Sequence, residues 1–163
     1  MKRVFVCSTV LFGLALSACT QHDTSNPESK NVNSVIKTAH PMKNLISIVE
    51  LPTHDFARAV SFYQTILDVT IEEVNMGGTL MGVLPSDGET VSMVLVKGKD
   101  YTPTATGAVV YLNAGNDLQP TLDKVVKNGG QLVVPKTEIS PDMGYFALFI
   151  DTEGNKVGLH SKK

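Results

Sequence analysis

The chain has 163 residues, which is enough for one compact domain with a sizeable core and additional terminal segments. Apolar residues make up 42% of it and charged residues 18%, an ordinary balance for a globular protein. The formal net charge of -2 offers no basic surface to nucleic acid, so we expect no nucleic-acid partner.

The first residues are typical of a targeting signal. Two basic residues are followed by an apolar run of 13 residues, Val4 to Leu16. At 1.5 Å per residue, this run is too short to cross roughly 30 Å of hydrocarbon as a helix. The Leu-Ser-Ala-Cys sequence that ends at Cys19 resembles a bacterial lipobox. This resemblance implies removal of residues 1–18 and lipid attachment to Cys19, whereas the alternative is an ordinary secretory signal.

Residues 19–43 are rich in Gln, Asn, Ser and Thr and show no sustained periodicity, which predicts a flexible tether. We therefore expect a cell-envelope lipoprotein that reaches its membrane partner through the lipid on Cys19. The residue after this cysteine is Thr20 and not Asp. By resemblance to Gram-negative lipoproteins, this favours the periplasmic face of the outer membrane if the host is Gram-negative.

The remaining residues, 44–163, contain the same order of predicted elements twice. A strand, a helix and three further strands occupy about residues 45–96, and the same order returns at about residues 108–160. One such unit cannot bury its apolar face alone, so the two copies should pair. The sequence predicts an α+β fold of two βαβββ modules that form a curved mixed sheet around a cleft, with the helices outside. We expect the functional site in the cleft between the copies.

Apolar periodicity and turn residues set the predicted bounds. In the first copy, strands are predicted at 45–51, 69–74, 79–84 and 91–96, around a helix at 55–67 that Thr53 or Asp55 caps. In the second copy, strands are predicted at 108–113, 132–135, 145–150 and 156–160. The second helix should begin at Asn116 or Asp117, end at Gly129-Gly130, and bury the stripe Leu118, Leu122, Val125 and Val126.

Two motifs connect this order to a known family. The first helix opens with Asp-Phe-Ala-Arg-Ala-Val-Ser-Phe-Tyr at residues 55–63, and Asp-Thr-Glu-Gly-Asn at residues 151–155 precedes the last strand. In this order, the doubled unit resembles the vicinal oxygen chelate superfamily, which includes glyoxalase I, bleomycin-resistance proteins and extradiol dioxygenases. The resemblance covers about residues 43–161 and implies a homodimer that is built through the sheets.

The resemblance also implies a divalent metal held by two histidines and two carboxylates from the first and last strands of each module. Gapless counting from the motifs places the four ligand positions at Ile48, Met93, Ala108 and Gly158, none of which is a competent ligand. A slip of one residue in any strand restores no histidine or carboxylate set. We therefore expect no metal cofactor, and we expect these four residues and Tyr101 to line a ligand pocket.

Two polar residues remain as candidates for catalysis. Glu50 shares a strand face with Ile48, and His160 shares one with Gly158, because side chains two residues apart point the same way. A carboxylate beside an imidazole can act as acid and base, hold a ligand amine or hydroxyl, or bind a metal weakly. The alternative is a solvated pair at the strand ends with a structural role.

Three functions are compatible with the sequence. The one we favour is metal-free binding of a small, mainly apolar molecule, as bleomycin-resistance members bind theirs. The second is a glyoxalase-like lyase, isomerase or dioxygenase that uses Glu50 and His160, alone or with a recruited divalent metal. The third is a non-catalytic dimeric envelope scaffold. Four methionines form either an adaptable wall for an apolar ligand or plain core: Met76, Met81, Met93 and Met143.

Overall fold

The computed structural model describes residues 44–163, and the predicted signal peptide, Cys19 and the tether lie outside this range. The first module contains β1 (Ile48–Pro52), α1 (Phe56–Leu67), β2 (Glu72–Met76), β3 (Thr79–Val83) and β4 (Ser92–Lys97). The second contains β5 (Val110–Asn113), α2 (Gln119–Lys127), β6 (Gln131–Ser140), β7 (Gly144–Ile150) and β8 (Lys156–Ser161). The predicted fold class, with two βαβββ modules, is confirmed.

Each module forms a four-stranded mixed sheet. The strand orders are β1-β4-β3-β2 and β5-β8-β7-β6. In both sheets the first strand pairs in parallel with the last, and the remaining pairs are antiparallel. A parallel pair needs a crossover connection, which here includes the helix and brings it onto one face of its sheet. The opposite face of each sheet, which points away from the helices, is called the open face below.

Strand register shows which side chains lie on the open face of the first sheet. Ile48 pairs with Ser92 and Glu50 pairs with Val94, and directly paired residues point to the same side. The alternate residue Leu51 is buried in the hydrophobic core with α1. Ile48, Glu50, Ser92 and Val94 therefore share the open face.

The second sheet follows the same rule. Tyr111 pairs with Gly158, and Asn113 pairs with His160, whereas the alternate residue Leu112 lies in the core. Tyr111, Asn113, Gly158 and His160 therefore share the open face of this sheet. Residues two apart on β8 stay on one face, as predicted for Gly158 and His160.

The core is continuous between the modules. Helices α1 and α2 contact each other, and α1 also contacts β4 of its own sheet. The ring centroids of Phe62 on α1 and Phe149 on β7 lie 6.3 Å apart, and both rings are buried. Apolar burial therefore joins the two modules as well as each helix to its own sheet.

A turn of five residues, 151–155, also joins the modules, and we call it the β7–β8 turn. The side chain of Glu153 is fully buried and accepts hydrogen bonds from the backbone N–H groups of His54 (2.9 Å) and Asp55 (2.7 Å). It also accepts one from Nε of Arg58 at 2.8 Å. These donors stand where α1 begins, and backbone N–H groups at a helix start have no partner inside the helix. Glu153 of the second module therefore fixes the start of the first module's helix.

Asp151 and Asn155 of the β7–β8 turn are also buried and paired. Oδ1 of Asp151 accepts from the N–H groups of Glu153 and Asn155, each at 2.8 Å. Its Oδ2 accepts from the hydroxyl of Tyr63 at 2.8 Å, while Nδ2 of Asn155 donates to the carbonyl of Pro52 at 2.8 Å. Burial, then the charge and hydrogen bond of Asp151, raise the pKa of Tyr63 well above its ordinary value. Within residues 44–163, no buried side-chain nitrogen or oxygen lacks a hydrogen-bond partner.

Of the two predicted caps of α1, Thr53 and Asp55, the structure has Asp55, whose Oδ1 accepts from the N–H of Arg58 at 3.1 Å. The second helix differs, because its N-cap is Leu118 and its first residue is Gln119. Asp117 still accepts from the N–H of Gln119 at 2.9 Å. The predicted acidic residue therefore bonds to the first residue of the helix from the position before the N-cap. No helix within the described part of the chain is long and apolar enough to cross a membrane.

Further sequence-based assignments of strand bounds and burial also need correction. Strand β2 begins at Glu72 and not at residue 69, because the N–H groups of Val69 and Ile71 bond to Gln64 at the end of α1. Strand β6 continues to Ser140 and passes Pro135 with irregular pairing, which an edge strand tolerates. Val126, expected in the buried stripe of α2, is 52% exposed.

Substitution Glu153→Gln should lower the free energy of unfolding by about 2 kcal/mol at neutral pH, because a buried charged acceptor of several hydrogen bonds is lost. Burial opposes ionisation of Glu153, but the hydrogen bonds from Arg58, Asp55 and His54 outweigh it and lower its pKa. A depressed pKa stabilises the folded state above the ordinary glutamate value of about 4.3, and this stabilisation is lost as the pH falls through the folded value.

Urea unfolding of the wild type and the variant at several pH values measures both effects. The control Glu73→Gln removes an exposed carboxylate from β2 and should change stability little. If Glu153→Gln keeps the full acid sensitivity of the wild type, the proposed role of this carboxylate is contradicted.

Candidate functional site

The structure places three of the predicted site residues at the first sheet: Ile48 and Glu50 on its open face, and Tyr101 bonded to Glu50. Glu50 and Ile48 lie on the open face, and Ile48 is 60% exposed. Tyr101, in the connection between the modules, donates from its hydroxyl to Oε2 of Glu50 at 2.9 Å. The hydrogen bond to Glu50, then partial burial and the charges of Glu50 and Asp100, raise the pKa of Tyr101 above its ordinary value. The tyrosine therefore stays a neutral donor at physiological pH, and it occupies one carboxylate oxygen of Glu50.

Met93 lies on the opposite face of the same sheet. It pairs with Val49, is 8% exposed and belongs to the hydrophobic core. Because the side-chain period of a strand is two, an error of one residue in the gapless count moves the assignment to the other face. The structure thus places Met93 in the core and not in a pocket, and the open-face residues of β4 are Ser92 and Val94.

Ala108 does not belong to a strand. It is exposed and precedes β5, which begins at Val110 and not at residue 108 as predicted. Val110 and Leu112 face the core side, so the open-face residue of β5 next to Gly158 is Tyr111. The structure therefore gives Ala108 no place beside the other predicted pocket residues.

An apolar pocket of about 380 Å³ lies on the open face of the second sheet. It is lined by Tyr111, Ile139, Met143, Phe146 and His160. The rings of Tyr111 and Phe146 meet edge to face, with centroids 6.4 Å apart. All five lining residues belong to the second module, whereas the sequence predicted a site between the copies. The volume suits a small organic molecule.

Gly158 forms the floor beneath Tyr111. A Cβ atom at this position would lie 2.3 Å from Cδ1 of the Tyr111 ring, which is far inside van der Waals contact. The ring therefore occupies the space that a side chain at residue 158 would need. A metal-ligating side chain at this position, as the resemblance implies, would displace the ring from the pocket wall.

His160 closes one side of the apolar pocket. Its Nε2 lies 2.7 Å from the carbonyl oxygen of Met143, and a carbonyl only accepts, so Nε2 carries the hydrogen. This bond fixes the ring and leaves Nδ1 as the second polar atom. In the described part of the chain, no hydrogen bond or ion pair joins His160 to Glu50. Glu50 and His160, the predicted acid–base pair, therefore bond to different partners: Glu50 to Tyr101, and His160 to the carbonyl of Met143.

The side chains present do not fit the metal of the superfamily. No group of three or more His, Cys, Asp or Glu side chains in residues 44–163 is arranged to hold a metal ion. Two of the open-face pairs of the parallel strands are Ile48–Ser92 and Tyr111–Gly158, and neither pair supplies a good ligand for a divalent cation. That the protein acts without a metal stays a prediction.

Sequence reasoning missed most of the apolar pocket. Tyr111, Ile139 and Phe146 were not candidates, and Met143 was considered only as part of a methionine wall or of the core. One signal was present, because Tyr111 stands opposite a glycine on the neighbouring strand, and an aromatic ring commonly covers a strand glycine. Recognising this pair required the register of β5 against β8, and an error of one residue in that register moves every side chain to the opposite face of the sheet.

The doubled module and its open faces define a protein of the vicinal oxygen chelate type. Residues 45–159 match the family model of the glyoxalase/bleomycin resistance protein/dioxygenase superfamily, and the chain belongs to this superfamily. A glyoxylase-like domain-containing protein of Didymella fabae is 30% identical over 113 residues, which cover 68% of this chain and 88% of that protein.

Two solved structures illustrate the range of this fold. TnmS3, an antibiotic binding protein from Streptomyces sp. CB03234, is 20% identical with a TM-score of 0.58, over 74% of this chain and 97% of that protein. Glyoxalase I from Zea mays is 20% identical with a TM-score of 0.57, over 71% of this chain. The match covers 45% of the maize enzyme, so this chain spans about half of its length. At these identities the structures establish the fold alone.

Substitution Gly158→Ala should destabilise the protein by about 1–3 kcal/mol, because the added methyl group displaces the Tyr111 ring. The near-ultraviolet circular dichroism should change as well, since the chain has 4 tyrosines and no tryptophan. Urea unfolding measures the cost.

The same substitution in a Tyr111→Ala background is the control. Without the ring the methyl group meets open space, so most of the cost should disappear and the double-mutant cycle should show clear coupling. An equal cost in both backgrounds would show that the ring does not rest on Gly158.

Proposed function

We propose that this protein binds a small, mainly apolar molecule in the apolar pocket of the second module, and that it does so without a metal ion. The observation that carries this proposal is the lining of the pocket: two aromatic rings, an isoleucine and a methionine, with one histidine already bonded to backbone. Ligand sites commonly combine such apolar walls with a few polar groups. The antibiotic binding protein TnmS3, which shares the fold, supports a binding role.

The exposure of the pocket walls supports the same reading. Tyr111 is 49% exposed, Ile139 is 42% exposed and Met143 is 61% exposed, although all three are large apolar side chains. Single exposed apolar residues need no explanation, but a cluster around a concavity marks a binding surface. A ligand that covers these side chains removes their apolar area from water, which favours binding by about 25 cal/mol per Å².

Binding without turnover is favoured over the enzymatic alternative by the partners of Glu50 and His160. Tyr101 donates to one oxygen of Glu50, and the Met143 carbonyl holds Nε2 of His160. A general acid–base pair must reach the same substrate from two sides. No hydrogen bond or ion pair within residues 44–163 joins these two groups, so we assign them to separate structural and ligand-facing roles.

We further propose that the domain acts at the cell envelope, anchored through lipid on Cys19, and that it forms a homodimer. The lipobox-like sequence before Cys19 and the polar segment 19–43 support the anchor. An acyl chain on a tether of this kind would leave the folded domain free to meet its ligand away from the lipid surface. Size-exclusion chromatography with light scattering would test the dimer.

The neutral fluorophore N-phenyl-1-naphthylamine should bind the purified protein after EDTA treatment, with enhanced fluorescence and saturable behaviour. Met143→Gln replaces one apolar side chain of the pocket wall by a polar side chain of similar size. It should weaken binding about fivefold, which corresponds to about 1 kcal/mol of lost apolar contact. A fluorescence titration measures the dissociation constant.

Met76→Gln is the matched control, because Met76 is 63% exposed on β2 and lies outside the apolar pocket. It should leave the dissociation constant unchanged. Absence of saturable binding, or binding that appears only when a divalent metal is added back, would overturn the proposed function.

Expression in a Gram-negative host with radiolabelled palmitate should label the wild-type protein and recover it in the membrane fraction. Cys19→Ser should abolish the label, because the thiol at the end of the lipobox-like sequence is removed. Cys7→Ser alters the chain's other cysteine and should retain both label and location. A labelled Cys19→Ser protein, or an unlabelled wild type, would contradict the anchor.

A further inference from the structure

A second pocket of about 380 Å³ adjoins the apolar pocket on the open face of the second sheet. It is lined by Tyr111, Asn113, Gly115, His160 and Lys162. The two pockets share Tyr111 and His160, so they form adjacent compartments separated by these side chains. A ligand large enough to extend past this wall would meet both environments. We call the second compartment the polar pocket.

Lys162 gives the polar pocket a positive charge. Its backbone N–H bonds to the carbonyl of Gly115, which continues β8 beyond its last residue, Ser161. Ser161 is 1% exposed and points into the protein, so alternation places Lys162 on the open face with His160. Among residues 44–163, its ammonium group is in no ion pair.

Asn113 adds a neutral donor. Its Oδ1 accepts from the N–H of Gly115 at 2.9 Å, which leaves the amide nitrogen as the group that can serve a ligand. Neither pocket has an acidic residue in its lining. Asp117, the nearest acidic residue in sequence to Asn113 and Gly115, is paired with Lys136. The polar pocket is therefore a donor-rich and cationic compartment beside an aromatic one.

Building on the proposed function, we propose that the ligand belongs to the class of aromatic molecules that carry one anionic group, such as a carboxylate or a sulfonate. The aromatic part lies against Tyr111 and Phe146, where rings pack edge to face or offset. The anionic group lies in the polar pocket, where the ammonium of Lys162 and the amide of Asn113 donate to its oxygens. This division between the two pockets gives the site its selectivity for charge.

Two fluorescent probes with the same aromatic body test this division. 1-Anilinonaphthalene-8-sulfonate carries a sulfonate, and N-phenyl-1-naphthylamine is the same molecule without it. Titrations of the purified protein with each probe, at low and high salt, measure the contribution of the charge. Raising NaCl from about 0.05 M to about 0.5 M should weaken binding of the sulfonate and leave the neutral probe unchanged, because salt screens exposed charges.

Lys162→Gln should weaken sulfonate binding about fivefold, the upper range for one exposed charge pair, and leave the neutral probe within about twofold. The matched control is Lys156→Gln on the same strand. Lys156 also shares the open-face alternation but lies six residues away, about 20 Å along an extended strand. It should leave both probes unaffected.

Each outcome has a defined meaning. Sulfonate binding that depends on Lys162 and not on Lys156 supports the anionic aromatic class. Equal effects of the two lysines, or no effect of Lys162 while the neutral probe still binds and depends on Met143, overturns this inference alone. Failure of both probes to bind saturably overturns the proposed function and the inference with it.

Discussion

The arrangement of the two modules depends on one buried carboxylate. Glu153 in the β7–β8 turn accepts from the backbone donors at the start of α1 and from Arg58, while Asp151 and Asn155 of the same turn hold Tyr63 and Pro52. A buried charge is tolerated only when its hydrogen bonds are complete, so these contacts also restrict the turn to one position. The helices and the apolar core are thereby fixed on one side of both sheets, and the opposite faces remain open for a ligand.

On that open face, the second module has an aromatic wall where the superfamily places a metal ligand. Gly158 lacks a side chain, and the Tyr111 ring lies on it. The two residues are complementary, because any larger residue at position 158 would displace the ring and any smaller residue at position 111 would open a void. Met143 and Phe146 supply adaptable and rigid parts of the same apolar wall.

The sequence predicted the doubled βαβββ order, a cap of α1 at Thr53 or Asp55, and the motif that forms the β7–β8 turn, because periodicity and turn chemistry are local signals. The sequence predicted the site residues less well where the prediction depended on which face of the sheet a side chain occupies. Met93 was expected in the pocket but lies in the core, because the gapless count was in error by one residue on β4 and so selected the wrong face of the strand. The partners of Glu50 and His160 come from a connection and a loop, Tyr101 and Met143, and such long-range contacts leave no periodic trace in the sequence.

The central claim is that a ligand occupies the apolar pocket of the second module without a metal ion. Methyl-labelled methionine NMR tests it directly, because the chain has 6 methionines and three of them report on distinct places. In EDTA-treated protein, titration with N-phenyl-1-naphthylamine should shift the Met143 methyl resonance saturably, while Met93 in the core and Met76 on β2 stay in place. Shifts at Met76 in place of Met143, or shifts that require added divalent metal, would contradict the account.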